Sequence, residues 1–215
     1  MAIIIMGETG VGKSTVGRIL SLKTNYDMYE VGHIVKKTYY DYMIENECNK
    51  FIVNELYRDN PKEYFTKKRL EFVSKKIETE GNDFFVRKLL EAHCSDNIIV
   101  VGPRSDKELD TIISKTKFPF IVALTCEDRK QENRFINRES SFMREDVACN
   151  IFLKRVDTEK SWGIDSTINR CNMIISTSSL LPEEVSNLIL KEYDRYLYEK
   201  TLMEVNHEYD GRHGR

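Results

Sequence analysis

The sequence predicts an α/β domain built on a parallel sheet of about five strands, with helices on both faces. Short apolar runs typical of buried strands lie at 2–6, 98–102, 120–125 and 173–177, and a weaker one lies at 27–31. Helix-length amphipathic segments separate these runs. Continuous apolar strands that alternate with helices are typical of parallel sheets. The 215 residues suffice for one such domain with its own core.

The predicted elements follow one another regularly, except after the second strand. The stretch 32–80 is mostly helical and interrupts the alternation, so we expect it to be an insertion over the carboxyl edge of the sheet, where ligands bind in this architecture. We predict residues 1–205 to be a single domain, followed by a disordered polar tail at 206–215. Helices are predicted at 13–23, 33–45, 61–79, 83–93, 105–115, 127–139, 146–160 and 182–203.

Composition excludes several classes of protein. The 33 basic and 35 acidic residues are interspersed, so that no basic stripe makes nucleic acid the default partner. The five cysteines are odd in number, widely spaced and without a CxxC pair, which argues against a zinc site or a disulfide framework and fits a reducing compartment. No apolar run approaches the length of a membrane span, and we expect a cytoplasmic protein without a membrane partner.

The segment GETGVGKST, which follows the first strand, matches the pattern GxxxxGK[ST] in full. Glycines let successive backbone N–H groups turn towards a phosphate chain, and the positive end of the following helix attracts the same phosphates. Lysine in this pattern reaches the terminal phosphates, and the next hydroxyl ligates Mg²⁺. The predicted ATP-binding residues are Gly7, Glu8, Thr9, Gly10, Val11, Gly12, Lys13, Ser14 and Thr15, with Ser14 as the metal ligand.

Other motifs narrow the class of phosphate-binding protein. No aspartate is followed by glycine three residues later, and the Asn49-Lys50 pair lacks the following aspartate of NKxD. These absences argue against a switch GTPase. No predicted strand ends in an acidic pair, which argues against a motor ATPase.

The segment CEDRKQENRFINRESSFMRED, after the fourth strand, carries Arg129, Arg134 and Arg138. Arg134 and Arg138 are four residues apart and so share one face of a helix. Phosphoryl transfer is catalysed mainly by positioning and by neutralising charge, and arginines on a closing segment can do both. We therefore predict that these arginines and Lys13 are catalytic.

Two segments of the sequence resemble parts of the lid of adenylate kinase and related nucleoside monophosphate kinases. RFINR resembles the element that opens the lid, and KRVDTEKSWGID resembles the element that closes it, where Arg155 and Asp157 take the matching places. NRCNMIISTSSLLPEEV resembles the last strand and helix of dephospho-CoA-kinase-like and archaeal adenylate-kinase-like proteins. The likeness spans roughly residues 2–190. It implies a three-layer P-loop kinase fold with a lid at 127–160, ATP and Mg²⁺ as cofactors, and a catalytic Arg155.

The same resemblance assigns the acceptor side. YEVGHIVKK resembles the second strand and the turn that opens the acceptor-binding helix of these kinases, which makes 32–80 the acceptor-binding insertion. IIVVGPRSDKEL resembles their third strand and the arginine after it. The implied substrate-binding residues are Gly32, His33, Lys37 and Arg104.

The chain departs from this family where the third strand ends, because Val101 stands where these kinases have a magnesium-orienting aspartate. Three alternatives remain open at this point. Glu30 or Asp106 replaces the missing carboxylate, Ser14 and the substrate phosphates hold Mg²⁺ unaided, or the protein binds nucleotide and catalyses poorly.

The sequence thus favours ATP-dependent phosphoryl transfer to a nucleotide-like acceptor, with a (deoxy)nucleoside monophosphate as first choice. Dephospho-CoA is second, and a base or end in DNA is a less favoured third. A nucleotide-binding module with little catalysis is the alternative from another class. The sequence leaves the acceptor, the donor base and the choice between monomer and homodimer open.

Overall fold

The computed structural model describes residues 1–46, 62–93 and 96–213 of the chain. Part of the predicted insertion, 47–61, therefore lies outside the described residues. The described strands form one five-stranded sheet in the order β2-β3-β1-β4-β5, and every neighbouring pair is parallel. The strands are β1 Ala2–Met6, β2 Asp27–Glu30, β3 Ile98–Val101, β4 Pro119–Thr125 and β5 Met173–Ser176.

The central strand β1 explains the layered architecture. All five of its residues are buried, because β3 and β4 flank it and helices cover both of its faces. Ile4 packs with α2, α4 and α5 on one face, whereas Ile3 and Ile5 pack with α1 and α9 on the other. The predicted three-layer α/β fold with a five-stranded parallel sheet is thus confirmed. The helices are α1 Lys13–Thr24, α2 Val31–Asn46, α3 Lys62–Glu80, α4 Phe84–Ala92, α5 Asp106–Lys115, α6 Asp128–Glu139, α7 Glu145–Ser161, α8 Ile164–Ile168 and α9 Pro182–His213.

Helices α6 and α7 form the region that the sequence predicts to be a lid. They pack on each other through Phe135, Ile151 and Phe152, which make a small apolar cluster separate from the two clusters on the sheet. The short helix α8, which the sequence analysis did not predict, connects α7 to β5.

The end of the chain differs from the prediction. Helix α9 continues from Pro182 to His213, ten residues beyond the helix end that the sequence predicts at residue 203. The physical reason is local, because no proline or glycine interrupts the chain between Pro182 and Gly211 to terminate the helix. Within the described part of the chain, no helix is both long and apolar enough to cross a membrane.

The burial of β1 predicts how two isoleucines on strands should differ. Ile4 on β1 is fully buried, whereas Ile174 on the edge strand β5 is 56% exposed. We expect Ile4→Ala to lower the free energy of unfolding by about 2–5 kcal/mol, because it removes buried methyl groups and leaves a cavity. The control Ile174→Ala should change it by less than about 1 kcal/mol. Denaturant titration measures both values, and equal losses would contradict this account of the core.

Candidate active site

The glycine-rich loop connects the central strand to α1 at the carboxyl edge of the sheet. Gly7 has φ 131° and Gly10 has φ 90°, a region that favours glycine. A Cβ at Gly7 would lie 2.2 Å from the carbonyl oxygen of Leu124, and one at Gly10 would lie 2.7 Å from the carbonyl oxygen of Gln131. The two glycines therefore allow the loop to pack directly against β4 and α6.

The loop leads into a helix end suited to an anion. Helix α1 begins at Lys13 and has no acidic residue in its first turn, so its positive end is not neutralised locally. Ser14 and Thr15 lie in that first turn, with Ser14 partly exposed. Lys13 Nζ folds back on the loop and donates to the carbonyl oxygens of Gly7 at 2.7 Å and Glu8 at 2.6 Å.

The ammonium group of Lys13 lies in a site that disfavours its charge. Burial lowers the pKa of Lys13 to about 8, and the nearby guanidinium groups of Arg104 and Arg138 act in the same direction. The carboxylate of Glu159 is the main opposing influence on this pKa. A bound polyphosphate would supply the negative charge that this lysine needs.

The lid region contacts the loop directly through two buried side chains. The backbone N–H of Thr9 donates to Glu159 Oε2 on α7 at 2.7 Å. Gln131 on α6 donates through Nε2 to the carbonyl oxygen of Thr9 at 2.7 Å and to Glu8 Oε2 at 3.1 Å. Lys160 Nζ adds a contact of 4.0 Å to Glu8. The loop is thus held between α6 and α7.

Arg104 lies between the third strand and the lid. Its guanidinium group is 3.4 Å from Glu159 and lies over the ring of Trp162, at 5.4 Å from the centroid. The backbone N–H of Arg104 donates to Glu108 Oε2 at 2.5 Å, and Ser105 caps α5 by accepting from the N–H of Glu108. Burial raises the pKa of Glu108 to about 7. The start of α5 therefore fixes the position of Arg104.

Arg155 on α7 lies close to two further guanidinium groups. Its pKa is lowered to about 10, mainly by burial and also by Arg69 on α3 and by Arg104, whereas Glu139 and Glu159 raise it. Its guanidinium group lies over the ring of Phe135, at 5.4 Å from the centroid. Cationic groups from the insertion, from the chain after β3 and from the lid are thus brought together.

The other predicted lid arginines lie in different places. Arg138 bonds Glu139 at 3.0 Å and is close enough to Lys13 to affect its pKa. Arg134 donates to the hydroxyl of Thr177 at 2.9 Å and to its carbonyl oxygen at 2.8 Å, which fixes it to the end of β5. Arg129 is exposed on α6, and the described residues provide no hydrogen bond or ion pair for its side chain.

The predicted acceptor residues on α2 lie in the first turns of that helix. Gly32 is partly buried, and Lys37 is exposed. The side chain of His33 is 70% exposed. Its Nε2 lies 3.9 Å from Glu30 Oε2, so the ring faces a carboxylate.

Glu30 and Asp106, the two candidates to replace the missing aspartate, lie in different surroundings. Glu30 lies directly beside Val101 in the register of β2 and β3, at the carboxyl edge of the sheet. Asp106 accepts from Ser166 at 2.8 Å and from Arg170 at 3.0 Å, which ties it to the region of α8. Glu30 is therefore the better placed of the two. Among the described residues, no group of three His, Cys, Asp or Glu side chains is arranged to hold a metal ion.

Sequence reasoning missed Gln131 and Glu159, which contact the loop, and Arg69, which acts electrostatically on Arg155. One signal was available for Glu159, because it follows Arg155 by four residues and so shares its helix face. Arg69 and Gln131 had no such signal, since each lies within a charged helix whose facing partner the sequence does not define.

Comparisons with known proteins agree with this geometry. A family model described as an AAA domain matches residues 3–153, more than half of the chain. The chain belongs to this AAA-domain family. No curated protein matches it in sequence.

Solved structures share the fold of this AAA-domain chain. A gluconokinase from Sinorhizobium meliloti 1021 is 14% identical with a TM-score of 0.57, over 94% of this chain and 96% of its own. An uncharacterized protein from Eubacterium ventriosum ATCC 27560 is 16% identical with a TM-score of 0.51. The match covers 90% of this chain and 98% of that protein's chain. A shikimate kinase from Aquifex aeolicus vf5 is 19% identical with a TM-score of 0.49. The match covers 94% of this chain and 99% of the shikimate kinase chain. The fold shared with the gluconokinase is that of P-loop kinases, whereas the adenylate-kinase-like subfamily stays a prediction.

The lowered pKa of Lys13 predicts how polyphosphate binding depends on pH. Lys13 loses its proton as the pH rises through about 8, so the affinity of the free protein for a magnesium–ATP analogue should fall above that pH. The fall should approach about tenfold per pH unit, since the bound phosphates favour the protonated form. Calorimetric titrations between about pH 7 and about pH 9 measure it.

The matched control is Lys13→Arg, because a guanidinium group stays protonated over this range. Its affinity, whatever its absolute value, should be independent of pH there. The same pH dependence in both proteins would assign the titration to another group.

Proposed function

We propose that this chain transfers the terminal phosphoryl group of ATP to a nucleotide-like acceptor, most simply a (deoxy)nucleoside monophosphate. The observation that carries the proposal is the gathering of guanidinium groups at the glycine-rich loop. Arg104 lies 3.4 Å from Glu159, which accepts from the N–H of Thr9 in the loop. Arg69 and Arg104 act electrostatically on Arg155, and Arg104 and Arg138 act on Lys13. Such a concentration of cations suits two phosphate-bearing ligands that meet end to end.

The loop and α1 form the donor side of the proposed site. Loop amides and Lys13 would hold the β- and γ-phosphates, and the positive end of α1 would add to this attraction. The hydroxyl of Ser14 fits one Mg²⁺ position, with phosphate oxygens and Glu30, directly or through water, as further oxygen ligands. Bound Mg²⁺ would supply charge neutralisation at the transferring phosphoryl group.

Arg104, Arg69 and Arg155 form the acceptor side. A planar guanidinium group binds a phosphate through two parallel hydrogen bonds, which suits the monophosphate end of a nucleotide. The contact between Arg104 and Trp162 keeps one such group oriented. We favour an acceptor that carries its own phosphate, because its charge would add to the counter-charges that Glu139 and Glu159 already provide to Arg155.

The lid would contribute charge stabilisation and exclusion of water. Arg138 and Arg155 belong to the two helices that contact the loop, and so would follow its phosphates as the lid adjusts. Arg134 would support the donor side through its bonds to Thr177, whose hydroxyl lies 3.0 Å from the carbonyl oxygen of Val11 in the loop. No contact supports a catalytic role for Arg129.

The proposal is tested by incubating the protein with γ-labelled ATP and Mg²⁺ against a panel of acceptors. The panel contains nucleoside and deoxynucleoside monophosphates, dephospho-CoA, DNA and gluconate, the last because a gluconokinase shares the fold. We expect label in a nucleoside monophosphate and none with Lys13→Ala. Label in another member would correct the acceptor. Tight ATP binding without any labelled acceptor would favour the nucleotide-binding module instead.

The acceptor side is tested by the substitution Arg104→Lys. The change keeps the charge but removes the bidentate geometry and the contact with Trp162, so the KM for the acceptor should rise by about tenfold or more while the KM for ATP changes little. The control Arg195→Lys changes an exposed arginine on α9 that pairs with Glu192. Steady-state kinetics with each substrate varied in turn measure both KM values. A rise confined to the KM for ATP would show that Arg104 binds the donor and not the acceptor.

A further inference from the structure

The carboxylate of Glu159 binds the glycine-rich loop in the way that an anionic ligand would. Its Oε2 accepts the backbone N–H of Thr9 at 2.7 Å, and its Oε1 lies 3.4 Å from Arg104 Nη2. The residue is only 3% exposed, although glutamate is rarely buried. It is also the largest negative influence on the pKa of Lys13. A loop amide, a lysine and an arginine thus surround one carboxylate, which is the set of groups that a phosphate would use.

We infer that Glu159 is an intramolecular competitor of the polyphosphate, so that a phosphate group must displace it from Thr9 and the loop before ATP can bind fully. The inference rests on the proposed function only in taking a polyphosphate as the ligand of the loop. Two anions cannot share the N–H of Thr9, and an unscreened carboxylate beside a phosphate repels it strongly in a buried site.

The contact has consequences beyond the loop, because Glu159 lies near the end of α7. Glu159 on α7 and Gln131 on α6 attach this helix pair to the loop at one residue, since Glu159 accepts from the N–H of Thr9 and Gln131 donates to its carbonyl oxygen. Displacement of Glu159 removes one of these two attachments. It also releases Arg104 from its ion pair with Glu159. Binding of the donor would therefore make the guanidinium group of Arg104 available to the phosphate of the acceptor.

The side chain of Gln131 does not share this behaviour. Its amide donates to the carbonyl oxygen of Thr9 and to Glu8 Oε2, so these bonds occupy no backbone N–H of the loop, and the side chain carries no charge. The bond can therefore persist when a polyphosphate enters, which leaves Glu159 as the group that responds to the ligand.

The test compares wild-type protein with Glu159→Gln, titrated calorimetrically with inorganic tripolyphosphate and with a non-hydrolysable ATP analogue in the presence of Mg²⁺. The amide oxygen of glutamine still accepts from Thr9, so the variant removes the charge and keeps the bond. Both probes should bind about tenfold more tightly to the variant, since one unit charge close to a phosphate is gone. The matched control Glu145→Gln removes an exposed carboxylate from the first turn of α7 and should leave both affinities unchanged.

Unchanged or weaker binding of both probes by Glu159→Gln would overturn the inference. A slower phosphoryl transfer with unchanged affinity would also overturn it, and would make Glu159 a residue of the reaction itself. Binding of neither probe to any variant would overturn both this inference and the proposed function. Equal tight binding to wild type and variant would overturn the inference alone.

Circular dichroism first establishes that Glu159→Gln is folded. If it is not, Glu159→Asp gives the second test, because its shorter side chain withdraws the carboxylate from the N–H of Thr9 without removing the charge. That variant should bind tripolyphosphate more tightly than wild type, by a smaller factor than expected for glutamine. Binding no tighter than wild type would then reject the inference.

Discussion

The structure depends on one constraint, namely that the fully buried strand β1 ends where the glycine-rich loop begins. Because β1 lies between β3 and β4 and is covered on both faces, the end of the strand is fixed by the core of the whole domain. The loop then packs against β4 through Gly7 and against α6 through Gly10, at distances that exclude a side chain. The site that we propose for phosphate is therefore held by the buried core of the domain.

The second organising feature is the balance of charge around that loop. Parallel strands bring their carboxyl ends to one edge, and the segments that follow β3 and β4 carry Arg104 and Arg138 to it. Arg69 and Arg155 approach from α3 and α7. Buried cations need counter-charges, and within the described chain Glu159 and Glu139 provide them close to Arg155. A ligand that carries negative charge would add to this neutralisation.

Much of the fold was predictable because the strands are apolar on both faces. A continuous apolar run has few alternatives once helices alternate with it, and all five predicted strands form the sheet. The loop GETGVGKST was predictable for another reason, since its chemistry requires particular residue types at adjacent positions. The predicted end of α9 at residue 203 falls ten residues before the observed end at His213, because no residue between them terminates the helix, while the disordered tail at 206–215 stays a prediction. The short helix α8 was missed because five residues are too few for a periodic pattern.

The sequence by itself determined the order of the elements, the position of the loop and the presence of arginines after β4, because these depend on local patterns of apolar, glycine and charged residues. Only the tertiary structure decided which charges meet. It joined Glu159 to Thr9 across 150 positions of sequence, tied Asp106 to Arg170, and set Arg134 against Thr177 instead of the loop. The physical reason is that long charged side chains choose partners by the packing of whole helices, and that packing cannot be worked out from any one segment.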